Sequence, residues 1–142
     1  MNINVLITGA LYSSQSGYSG LKFCQSAVLA GHTISQVFFY QDGVSQANSL
    51  SMPLDDEFEA VSQWRAFSES HSVPLFVCVS AAERRGIMSD EQVLEHHLGS
   101  SEVESKDANG NLGGNIHSSI NVAGLGVLHQ ASLDSDRTVT FK

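Results

Sequence analysis

The chain has 142 residues, 42% apolar and 15% charged, and seven Lys/Arg against fifteen Asp/Glu give a formal net charge of −8. That length and composition favour one soluble domain around one core, and so acidic a surface repels phosphate backbones, which argues against direct nucleic-acid binding. No apolar run reaches bilayer length, Met1–Thr8 lacks the basic start of a signal peptide, and two cysteines make neither a disulfide framework nor a zinc ligand set. A cytoplasmic protein with reduced thiols, no membrane association and no bound metal is expected.

Asn4–Thr8, NVLIT, is apolar and β-rich and stops at Gly9, which predicts a first strand. GALYSSQSGYSG suits a turn into a helix. From Tyr18 onward Leu21, Phe23, Cys24, Ala27, Val28 and Ala30 share one helical face, closed by Gly31. Thr33–Tyr40 is a second strand, turned by QDGV, and residues 41–53 read as irregular with a short helix around Ser45–Leu50. Pro53 with Asp55 and Asp56 resembles an acid-rich helix start. Phe58, Val61, Trp64, Arg65 and Phe67 continue that helix to about Ser70.

Pro74–Val79 is a third strand. SAAERRG starts a short helix that Gly86 ends, and Ser89-Asp90-Glu91 starts another running to about Leu98. Residues 99–118 are rich in Gly, Ser and Asn and read as a flexible loop. Val122–Leu133 predicts a helix, and the alternation of RTVTF, Arg137–Phe141, a last strand. Strands separated by helices indicate a single α/β domain over 1–142, with a mostly parallel sheet and helices on both faces in flavodoxin-like layering.

In such sheets function gathers at the carboxyl ends of strands, here Thr8-Gly9, Tyr40-Gln41-Asp42 and Cys78-Val79-Ser80. Only the last carries a strong nucleophile. Cys78 sits just before a predicted helix start, where the positive helix end and cationic neighbours can lower a thiol pKa. Arg84 and Arg85 stand further along that helix, with Glu83 beside them. The alternative is a packed thiol, since free cysteine is among the most buried residue types. Cys24, in mid-helix among Leu21, Phe23, Ala27 and Val28, reads as packing alone.

Other motifs are weaker. GALYSSQSG offers a glycine-rich turn before a helix, yet it matches neither dinucleotide nor P-loop glycine spacing and holds no lysine. The six histidines are scattered, with no i,i+4 pair. The acidic run DDEFE, Asp55–Glu59, is a solvated helix start or a face for a basic partner.

Taken together, LITGALYSSQSGYSGLKFCQSAVLAGHTISQVFFYQDGV, SMPLDDEFEAVSQW, VCVSAAERRGI and VAGLGVLHQASLDSDRTVTF resemble the TusD/DsrE family of sulfurtransferase subunits. The likeness covers nearly all of the chain except 99–118, a stretch longer than is usual in that family. It implies a DsrE-like fold and a sulfur relay with no cofactor, in which a cysteine at the place of Cys78 carries sulfane sulfur as a persulfide. It also implies a heterohexamer with TusB-like and TusC-like paralogous subunits, a TusA-like sulfur donor and a TusE-like acceptor, serving 2-thiouridine formation at the tRNA wobble position. Tyr12, Gln15 and Asp42 then fall along the same sheet edge as Cys78, with Arg84 and Arg85, as candidate pocket residues. Two other readings stand beside this one: a non-catalytic interaction subunit of a DsrE-like complex, in which Cys78 is only packed, and a flavodoxin-like nucleotide or phosphate binder using the first loop.

Overall fold

Five strands form one sheet in the order β4-β3-β2-β1-β5, and every neighbouring pair is parallel. The computed structural model describes residues 1–97 and 113–142. The strands are β1 (Asn2–Ile7), β2 (Thr33–Phe39), β3 (Leu75–Cys78), β4 (Ile120–Ala123) and β5 (Arg137–Phe141). The helices are α1 (Ser16–Leu29), α2 (Ala60–His71), α3 (Val79–Glu83), α4 (Asp90–His97) and α5 (Leu125–Asp134), and a 3-10 helix covers Gln41–Ala47.

Strand alternation assigns the two faces. Ile7 packs on Gly20 of α1 and Phe39 meets Trp64 of α2 edge-on with ring centroids 5.4 Å apart, so these odd positions share the α1/α2 face. Even positions point the other way: Asn4 Nδ2 donates to Ser132 Oγ of α5 at 3.1 Å, and Phe38 stacks on Phe76. The α1/α2 side holds the dense part of the core, with Val5, Ile7, Leu21, Val37, Phe39 and Trp64 fully buried. By contrast α5 buries none of its residues completely.

Three expectations change. Val122–Leu133 is not one helix: Ile120–Ala123 pairs with Leu75–Cys78 as β4, and the helix starts only after Gly124. Four residues with a single buried side chain, Ile120, leave too short a pattern to separate from the helix that follows. Second, α2 begins at Ala60 rather than near Pro53. The acidic run closes a turn of its own, Leu54 N–H donating to Glu57 Oε2 at 2.9 Å and Glu57 N–H to Leu54 O at 3.0 Å, and the helix starts where Ala60 becomes buried. Third, the short helix expected at Ser45–Leu50 is the 3-10 helix four residues earlier. There Gly43 N–H donates to both Thr8 O and Tyr40 O, and a Cβ at Gly43 would overlap Ile7 O, so the close approach needs glycine.

Of the predicted flexible loop, residues 99–112 lie outside the described residues. Its end, 113–118, is pinned across the turn between α3 and α4. Asn115 N–H donates to Met88 O at 2.8 Å, its Nδ2 to Gly86 O at 3.0 Å, and Met88 N–H to Asn115 Oδ1 at 2.8 Å. Ser49 N–H completes the strap by donating to Asn115 O. Among the described residues no helix is long and apolar enough to cross a membrane.

Candidate functional site

Cys78 is the last residue of β3, paired with Ala123 of β4, and the residue that caps α3. Right-handed crossovers carry the chain after β1, β2 and β3 onto the α1/α2 face, whereas the chain after β4 returns as α5 on the other. The carboxyl ends of β3 and β4 therefore form the crevice where the topology switches, the usual place for a site in an open parallel sheet. Cys78 has the parity of Phe76, away from the dense core face.

The thiol is only 1% exposed. Its Sγ lies 3.6 Å from Ser80 Oγ, and Ser80 is exposed, so the sulfur sits one side chain beneath the surface. With five residues, α3 is too short to develop the full end charge of a long helix. Cys24, fully buried in α1, has its thiol pushed up to about 12 by burial and is a packed side chain, as its sequence setting indicates.

Asp42 and Arg85, 43 positions apart, meet directly. Arg85 Nε and Nη2 donate to Asp42 Oδ1 at 3.1 and 2.8 Å, and Nη1 donates to Ala81 O at 3.0 Å. One guanidinium thus ties the 3-10 helix to the helix that Cys78 caps. Arg84 is exposed and makes no ion pair among the described residues.

Tyr12 and Gln15 go elsewhere. Both line a cavity of about 500 Å³ between the start of α1 and the approach to α2, and Cys78 is not among its lining residues. Tyr12 adopts φ 66°, an uncommon backbone for a bulky side chain, held while its Oη donates to Phe58 O at 3.2 Å. Burial, then the charges of Glu57 and Glu59, raise its phenol pKa. The pocket residues expected along one sheet edge therefore divide between two places.

Ser80 was named only as part of the strand end, although its i+2 spacing to Cys78 marks it as a neighbour of the thiol; Gln46, buried in the wall of the Tyr12 cavity, carried no sequence signal and escaped the sequence reading. No cluster of three or more metal-ligating side chains occurs among the described residues.

A family model described as DsrE/DsrF-like matches residues 1–141. The chain belongs to the DsrE/DsrF-like family. It is 37% identical over 141 residues to a protein of Vibrio parahaemolyticus serotype O3:K6 named sulfurtransferase TusD homolog, the alignment covering 99% of this chain and 98% of that one. Its fold is similar to the crystal structure of the YchN protein of E. coli, with a TM-score of 0.66 at 18% identity, covering 99% and 98% of the two chains. At that identity the likeness speaks for the DsrE-like fold alone.

Proposed function

We propose that the chain is a sulfurtransferase subunit that carries sulfane sulfur on Cys78. The observation that carries this reading is the place of Cys78, a lone strand-end thiol at the β3/β4 switch point, in a chain 37% identical over nearly its whole length to a protein named as a sulfurtransferase. The step balances without a cofactor. Cys78 thiolate attacks the terminal sulfur of a donor persulfide, R–S–SH; the S–S bond between that sulfur and the inner one breaks, R–S⁻ leaves, and Cys78–S–SH remains. A second thiolate on an acceptor repeats the exchange in the forward direction. No net oxidation accompanies either step.

Burial sets a condition on this chemistry. A sulfur 1% exposed reacts only when its covering moves, so the turn at Val79–Ser80 must open, or a partner must open it, before transfer. The Asp42–Arg85 tether holds the closed form and is the element such an opening would strain. The finer reading follows from the family likeness: a TusA-like carrier loads Cys78, TusB-like and TusC-like paralogues share the assembly, and a TusE-like protein receives the sulfur for tRNA wobble thiolation. Copurification of the tagged chain with two small paralogues, followed by transfer of labelled sulfur from a loaded TusA-like carrier to a TusE-like acceptor, tests it. Sulfur that reaches the acceptor without passing through this chain would refute the relay.

The burial of Cys78 also favours a second reading, an interaction subunit in which the thiol only packs. The two separate on thiol reactivity: under this reading Cys78 stays unlabelled by a loaded donor even in the complete assembly.

A further inference from the structure

Ser80 makes a contact that the transfer steps above leave without a role. Its Oγ lies 3.6 Å from Cys78 Sγ, a hydrogen-bond separation for an atom as large as sulfur, and the hydroxyl makes no other hydrogen bond among the described residues. The sulfur is equally uncommitted. Cys78 makes no side-chain cap bond to α3, and no Lys, Arg, His, Asp or Glu among the described residues is bonded to Sγ.

Ionisation fixes the direction of this contact. Between thiol and hydroxyl either atom can donate, but a sulfur that carries negative charge can only accept, so Ser80 must then be the donor. A hydrogen bond to a charged acceptor is also the stronger kind. Ser80 is exposed and stands second in α3, where Arg84 N–H donates to its carbonyl oxygen at 3.2 Å. Only two positions from Cys78, it travels with the thiol when the covering opens, which a donor from another element would not.

We infer that Ser80 is a catalytic residue of the delivery step, its hydroxyl donating to the negative charge that develops on Cys78 Sγ as the sulfur departs. In that step an acceptor thiolate attacks the outer sulfur of Cys78–S–SH. The bond between the two sulfurs breaks, its electron pair stays on Sγ, and the acceptor keeps the outer sulfur with its hydrogen. Ser80 keeps its proton throughout. A donor aimed where charge appears favours the transition state over the neutral persulfide, and a better leaving thiolate departs faster. The inference rests on the sulfur-carrier reading of Cys78.

A two-stage measurement on the full chain tests it. The protein is loaded with glutathione persulfide, freed of donor, and chased with excess glutathione, and intact mass follows first the gain and then the loss of about 32 mass units. Ser80→Ala, a change at an exposed position, should still load but should deliver about three- to tenfold more slowly, and Ser80→Thr, which restores the hydroxyl, should deliver near the wild-type rate. Amide hydrogen exchange across 79–85, which reports opening of the covering, should be the same in all three proteins. Wild-type delivery by Ser80→Ala, delivery by Ser80→Thr as slow as by Ser80→Ala, or a slowing matched fold for fold by slower amide exchange would overturn the role. Each of these leaves the carrier reading standing, because Cys78 still loads. A wild type that gains no mass at Cys78 would instead overturn the carrier reading, and this role with it.

Discussion

Removing the acceptor of the Asp42–Arg85 pair, by Asp42→Ala, should loosen the turn that covers Cys78 more than it loosens the fold. The lost contacts are two hydrogen bonds to one carboxylate oxygen, 2.8 and 3.1 Å long, between side chains 65% and 35% exposed. That exposure discounts a charge-assisted pair to about 0.5–1 kcal/mol. Because the tether joins the 3-10 helix to α3, the loss acts on the local equilibrium that exposes the thiol, raising the open population by about two- to fivefold. The assay is the rate of Cys78 alkylation by iodoacetamide at neutral pH, located by peptide mass, with Cys24 as the unreactive internal control. The melting temperature should fall by only about 2–4 °C. Arg65→Ala, which removes the exposed pair with Glu69 at 3.8 Å on α2, should leave the rate unchanged. An unaltered alkylation rate in Asp42→Ala, or an equal acceleration in Arg65→Ala, would refute the tether.

Gly43→Ala forces a Cβ into Ile7 O and should destabilise the fold by about 3 kcal/mol in urea denaturation. Cys24 supplies a pH signature: with its folded pKa raised to about 12, its contribution is fully present below the unfolded thiol value and is lost as pH rises from about 9 to 12. Stability should therefore fall over that window by about 1.4 kcal/mol per pH unit more in the wild type than in Cys24→Ala, and parallel profiles would contradict it. Trp64 is fully buried against Phe39 and Phe67, so Trp64→Ala should cost about 3–5 kcal/mol. Its Nε1 has no partner among the described residues, so Trp64→Phe should cost much less, since it also removes an unpaired buried donor.

What could be read before the structure follows from how local each signal is. RTVTF alternates cleanly, and β5 lies where that pattern puts it, Arg137–Phe141. The strand that carries Cys78 was legible too, because four neighbouring apolar residues mark it, but its end was placed one residue late, at Val79, which opens α3 instead. Ile120–Ala123 was not, since its identity as a strand comes from pairing with Leu75–Cys78 rather than from its own composition. The start of α2 was misread because acidic residues after a proline serve a turn as well as a helix end. Within the site, Asp42 and Arg85 were each named, but their contact spans 43 positions and depends on how the 3-10 helix meets α3. The burial of Cys78 and of the Gln46 side chain are products of tertiary packing, to which no spacing rule points.

The central claim is that Cys78 accepts sulfur, and intact-mass spectrometry after incubation with a persulfide-loaded donor tests it most directly. Wild type and Cys24→Ser should each gain about 32 mass units, reversible by dithiothreitol, and Cys78→Ser should gain nothing. Uptake by Cys78→Ser at the wild-type level, or its loss in Cys24→Ser, would contradict the account.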